Sequence, residues 1–174
     1  MHAAPTIEQF ISNKHRRIHG IFQQIRSAEI RLRDQKNDLK PLAIDELFRQ
    51  LEIEATIERE ILYPAVRSAA DEENSERERE ALAAVEDGLD RHADIEQLIR
   101  QARQHTTYAE DLGSLLGEIE STVRLHFQEE EHRIMPFLKQ VLGDESQRLA
   151  LFAHRRVEEL LAATEGPFTQ ERRA

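Results

Sequence analysis

"LEIEATIEREILYP", residues 51–64, reads as helix, and the placement of its glutamates decides what kind of fold contains it. On a helix, Leu47, Leu51, Ile61 and Ala65 form a spaced inner stripe, and Glu54 and Glu58 fall in the gaps of that stripe. Taking a carboxylate out of water without a partner is strongly unfavourable, so a helix that aims two of them at its own core requires a compensating positive charge.

The same pattern returns later in the chain. "LEIEATIEREILYPAV" (51–66) aligns with "VRLHFQEEEHRIMPFL" (123–138) at a constant offset of 72, which sets Leu51 over Val123, Glu54 over His126, Glu58 over Glu130 and Pro64 over Pro136. Upstream of each copy, His15, Ile18, Phe22 and Ile25 fall over His92, Ile95, Ile99 and Ala102 at an offset of 77. A helix hairpin is therefore written twice. Two such hairpins predict an all-α fold, an up-down four-helix bundle with pseudo-twofold symmetry.

The rest of the sequence agrees with that architecture. At 174 residues it is one domain's worth of chain, with 33% charged residues, 5% aromatics, and few Gly or Pro, a balance suited to long salt-bridged helices. There is no cysteine, which excludes thiolate catalysis, iron-sulfur clusters, cysteine zinc sites and disulfides, and leaves nitrogen and oxygen as metal donors. A formal net charge of -10 argues against nucleic acid or anionic membranes as partners. The N-terminus "MHAAPTIEQF" lacks a basic region followed by an apolar run, and no stretch is apolar enough for a membrane span, so the expected location is cytoplasmic.

Five helical segments follow from the periodicity. The first runs from about Ile7 to Arg33 with Thr6 as N-cap, and "DQKNDLKP" (34–41) reads as a loop. The second starts near Pro41 and passes Tyr63; "DEENSERERE" (71–80) is a solvated connection and helix start. The third ends before "QHTTYAED" (104–111), where Thr107 and Glu110 are spaced as a capping box for the fourth, which runs to a C-cap at Gly143. A fifth, from about 144 to 165, is amphipathic through Leu149, Phe152, Val157 and Leu160, stops at "EGPF", and is expected to cover a core bundle of about 6–142.

Inward positions in a bundle alternate by three and four residues. The second helix gives 47, 51, 54, 58, 61 and 65, and the fourth gives 119, 123, 126, 130, 133 and 137; the third offers Ile95 or Glu96 at its matching step. Six polar residues thereby occupy inward seams: His15, Glu54, Glu58, His92, His126 and Glu130. A metal would supply the missing charge, and imidazole with carboxylate suits iron, manganese or zinc. Two bridging carboxylates would hold two ions close together. Tyr63, five residues beyond Glu58, is expected to face away and serve packing, and Pro64 and Pro136 to bend or end their helices.

These residues resemble the hemerythrin-like proteins with a His/His/Glu (HHE) cation-binding domain. "NKHRRIHGIF" supplies His15, "EATIEREILYP" supplies Glu58, Tyr63 and Pro64, "DRHADIEQLI" supplies His92, and "HFQEEEHRIMP" supplies His126 and Glu130. The departure is Glu54, which stands where that family carries the second-helix histidine. The resemblance implies two non-haem iron ions, His15 and Glu54 serving one, His92 and His126 the other, with Glu58 and Glu130 bridging. An anionic oxygen donor at 54 hardens the first site and argues against a simple reversible oxygen carrier.

Redox chemistry on dioxygen, peroxide or nitric oxide is the leading expectation, with a peroxide- or oxygen-consuming activity as its enzymatic form. The alternatives are a non-catalytic iron or oxygen sensor or iron-holding module, with an unidentified protein partner, and a metal-free helical interaction module. A ferritin-like pattern needs a Glu-x-x-His in each half; Glu129 and His132 have that spacing, but Ile61 follows Glu58 at the matching step. His19 is a substitute ligand should Glu54 not serve, and His2, His105, His132 and His154 read as surface residues.

Overall fold

The computed structural model describes residues 5–31, 39–70, 75–104 and 110–164. Helix α1 spans Ile7–Arg31, and α2 (Leu39–Ile57) continues through a π-helical turn, Glu58–Leu62, into α3 (Tyr63–Ala69). Helix α4 spans Glu76–Gln104; α5 (Glu110–Glu129) continues through a second π turn, Glu130–Ile134, into α6 (Met135–Val141), and α7 is Glu145–Thr164. No strand occurs among the described residues, and no helix among them is long and apolar enough to cross a membrane. The loop expected at 34–41, Thr107 and the stop at 165–168 lie wholly or partly outside the described residues.

Local chemistry sets the helix ends. Thr6 and Gln9 form a reciprocal capping box, the Thr6 N–H donating to Gln9 Oε1 at 3.1 Å, and Ser75 and Glu78 do the same ahead of α4, with the Ser75 N–H 2.8 Å from Glu78 Oε2. Gly143, just past α6, adopts φ +50°, the left-handed conformation that ends a helix at little cost only for glycine. It turns the chain back so that α7 packs on α1 and α2. Ser146 fastens that corner, accepting from the Ile7 N–H at 3.0 Å and donating to Glu8 at 2.7 Å.

Helices α1 and α2 pair as one hairpin and α4 and α5 as the other. Along α1, the apolar seam residues Ile11, Ile18, Phe22 and Ile25 are all buried, and along α4 so are Val85, Ile95, Ile99 and Ala102; Ile95, not Glu96, faces inward. The core is in two pieces. One apolar cluster contains Ile11, Ile57, Leu62, Val85, Ile134 and the inner face of α7; the other contains Ile18, Leu51, Ile95 and Val123. On each of the four long helices the polar seam residues separate the two clusters.

Beyond the glutamates the expected seam holds at Phe137 and fails at the other positions. Leu62 and Val66 are buried in place of Ile61 and Ala65, which are half-buried, and Ile134 is buried in place of Arg133. The π turns are the cause. Each closes through an i+5 hydrogen bond, from the Tyr63 N–H to the Glu58 carbonyl and from the Met135 N–H to the Glu130 carbonyl, so the register advances by one residue. Proline follows in each copy, and a wider turn relieves the clash that Pro64 and Pro136 would make with the preceding turn. The helices therefore continue past both prolines instead of ending.

Helix α7 also differs from expectation: Ala150 and Ala153 face inward with Leu149, Val157 and Leu160 flanking them, while Phe152 is 61% exposed. Small inward residues let α7 lie close on the first hairpin. The register shift has a direct test. Leu62→Ala is expected to cost about 2–5 kcal/mol of stability in denaturant unfolding, and Ile61→Ala clearly less; equal costs would contradict the shifted seam.

Candidate metal centre

Between the two apolar clusters, His15 on α1, Glu54 on α2, Glu58 in the first π turn, His92 on α4, His126 on α5 and Glu130 in the second π turn are all buried, none more than 3% exposed. All six residues singled out from the sequence are brought together. His15 Nε2 lies 3.3 Å from both Glu54 Oε1 and Glu130 Oε2 and 4.0 Å from Glu58 Oε1. On the other side, Glu58 Oε2 lies 2.6 Å from His92 Nε2 and 3.1 Å from His126 Nε2, and the two imidazole nitrogens are 3.2 Å apart. Two groups able to hold a metal ion result, His15 with Glu54 and Glu58, and His92 with His126 and Glu58.

Each of the turn glutamates divides its oxygens between these groups. Glu58 turns Oε1 towards His15 and Oε2 towards His92 and His126. Glu130 turns Oε2 towards His15 and Oε1 towards His126, the latter at 3.9 Å. Their placement at the first residue of matching π turns follows from the repeat.

Glu58 Oε2 is satisfied by His92 and His126, but the atoms around His15 converge without a partner. His15 Nε2, both Glu54 oxygens, Glu58 Oε1 and Glu130 Oε2 are buried and have no hydrogen-bond partner among the described residues. Buried polar atoms normally find one, and a group of lone pairs facing a common point is what a cation would satisfy. The nitrogen and oxygen donor set, without sulfur, fits iron, manganese or zinc.

Electrostatics show how the same charges balance with protons alone. Burial pushes the Glu54 carboxyl up to about 8, and the charges of Glu58 and Glu130 push the same way against His15. Burial also opposes the charge on Glu58, but His126, His15 and His92 outweigh it and hold this carboxyl well below the usual carboxylate range. For His126, burial is overcome by Glu130 and Glu58, which raise it to about 9. His15 is likewise raised well above the ordinary imidazole range, burial being outweighed by Glu130, Glu131 and Glu54.

Three residues beyond the six complete the surroundings. Glu131 Oε1 accepts from His15 Nδ1 at 3.0 Å, which holds the ring so that Nε2 faces the cluster and is the nitrogen left to bind a metal once its proton is displaced. Phe127 stacks on the His15 ring at 3.7 Å and 7°. Tyr63 does not face away. Its hydroxyl donates to Glu130 Oε1 at 2.9 Å and lies 3.5 Å from Glu58 Oε2, because the π turn brings the residue five positions on back to the glutamate's face. Burial and the nearby Glu58 and Glu130 charges keep that hydroxyl protonated.

Gly88 makes room for the phenol, since a Cβ there would fall on the Tyr63 hydroxyl. The available sign in the sequence was a proline one residue on, repeated at Pro136, which disfavours a regular α turn there. The other candidates lie elsewhere. His19 meets the edge of Phe127 outside both groups, His132 and His154 are exposed, and His2 and His105 lie outside the described residues. Glu129 is paired to Arg91 through two contacts of 3.1 and 2.9 Å, which removes the ferritin-like reading.

No protein-family model and no curated protein matches this sequence. Among solved structures, the chain is similar to a hemerythrin HHE cation-binding domain-containing protein from Mycobacterium kansasii, with a TM-score of 0.73 and 16% identity. That likeness covers 95% of this chain and 94% of the other. The fold is thus a hemerythrin-like helical bundle, as the spacing of the buried His and Glu residues led one to expect.

A proton-filled cluster has a measurable consequence. Metal ligands must be deprotonated, and at neutral pH Glu54, His126 and His15 hold protons that a metal has to displace. Metal binding is therefore expected to release protons and to tighten as pH rises from about 7 to about 9. Metal titration in weakly buffered solution reads both; affinity independent of pH across that window would contradict the assignment.

Proposed function

We propose that this protein binds a pair of non-haem iron ions and uses them for redox chemistry on a small ligand such as dioxygen, peroxide or nitric oxide. The observation that carries the reading is the division of Glu58 and Glu130, each offering one oxygen to the His15 group and the other to the His92 and His126 group. A carboxylate shared in that way is the usual means of holding two metals at bridging distance. The M. kansasii protein of the same fold is described as a cation-binding domain protein, which supports a metal role.

In this reading His15 and Glu54 hold one ion, His92 and His126 the other, and the two turn glutamates bridge them. Manganese or zinc fits the same donors, and iron is preferred because the proposal includes electron transfer. When bound, the ions supply one-electron redox steps and a coordination position for the ligand. Glu131 orients His15, and Tyr63 holds the Glu130 carboxylate through its hydroxyl. The apolar clusters above and below the layer exclude bulk water, so a reactive ligand meets few competing donors.

The test is metal content per chain with an absorption spectrum, on protein prepared without a histidine tag from iron-supplemented cells. About two irons per chain are expected. Glu58→Ala and Glu130→Ala should each abolish paired binding, whereas Glu54→His should keep two metals and move the protein towards oxygen binding. Two irons retained in either alanine variant would remove the bridging assignment.

A further inference from the structure

One of the places where the pseudo-twofold repeat is broken lies beside His15 and His92. Phe127 stacks on His15, and its counterpart in the first hairpin, at the offset of 72, is Ala55; the counterpart of His15, at 77, is His92. Symmetry would therefore lay an aromatic ring at position 55 against His92. Alanine stands there instead, and beside it is a void of about 20 Å³, the size of a water or diatomic molecule, bordered by Glu54, Glu58, His92 and His126. His15 does not border it.

The void lies between α2 and α4. Glu52 and Glu96 stand at its rim, tied across the two helices by ion pairs to Arg103 at 2.7 Å and Arg59 at 2.6 Å. Inside the rim, Ala55, Ile95 and Phe127 make the walls apolar. Apolar walls behind two carboxylates disfavour an anion and suit a small uncharged molecule.

Resting on the di-iron reading above, we infer that this void is the ligand site: a small uncharged molecule of the size of dioxygen or nitric oxide enters between α2 and α4. There it binds on the His92 and His126 side of the centre. The two sides are not equivalent. Glu54 sets Oε1 3.3 Å from His15 Nε2, and Phe127 stacks over that imidazole, so a carboxylate and a packed ring occupy that half. His92 and His126 contribute one nitrogen each, and the space beside them remains open because residue 55 carries only a methyl group.

Nitric oxide is the probe, added to the ferrous protein and followed by absorption in parallel with metal content. Ala55→Phe should keep the metals of the parent and weaken nitric oxide binding by about tenfold or more, since the ligand must displace a packed ring. Ala55→Val, a smaller intrusion with less risk to folding, should give an intermediate loss. If both position-55 variants hold two irons and bind nitric oxide as the parent does, the void is not the ligand site although the di-iron reading stands. If the parent holds no paired metal, both inferences fall together.

Discussion

Everything in this fold is arranged around one electrostatic constraint: three carboxylates and three imidazoles occupy a single layer shielded from water. Such a layer is stable only when its charges balance locally, because each isolated charge in that environment carries a large desolvation cost. Protons meet the condition in one state, with Glu54 held up at about 8 and His126 at about 9, and bound cations would meet it in another. The unpartnered oxygens of Glu54, Glu58 and Glu130 show that neighbouring side chains alone do not satisfy the layer.

Position in the bundle makes the constraint tolerable. Apolar clusters close the layer above and below, so the helices retain a core even though its middle is polar. The two π turns lie at the edge of the layer and have a double effect. They start at the glutamates that face both histidine groups, and they rotate the following residues, bringing Tyr63 onto Glu130 and Leu62 and Ile134 into the core. A strict α-helix would have left Ile61 and Arg133 inside, and the tyrosine out of reach.

Duplication explains the similarity of the halves, and the departures from it make them chemically different. Glu54 against His126 exchanges an anionic oxygen donor for an imidazole, and Ala55 against Phe127 exchanges a space for a ring. Gly88 with Tyr63 stands where the other hairpin has Ile11 with Met135, so a phenol reaches the layer in one half and its counterpart in the other is an apolar side chain in the core. Adjacent residues on the same helix turn thus set donor type and accessible space.

The bundle, its four long helices and the six inward polar residues were legible in the sequence because they depend on period and repeat: carboxylates and imidazoles at helical seam positions are conspicuous against an apolar stripe, and two copies at constant offset confirm the register. The same sequence placed Tyr63 outside and Ile61, Ala65 and Arg133 inside, since a seam drawn at α-helical period cannot register an i+5 turn. The tertiary structure alone decided which oxygen of Glu58 and Glu130 faces which histidines, that Glu131 orients His15, and that Ala55 leaves a void beside His92. Those facts depend on distances between helices far apart in the chain, which periodicity along one helix does not encode.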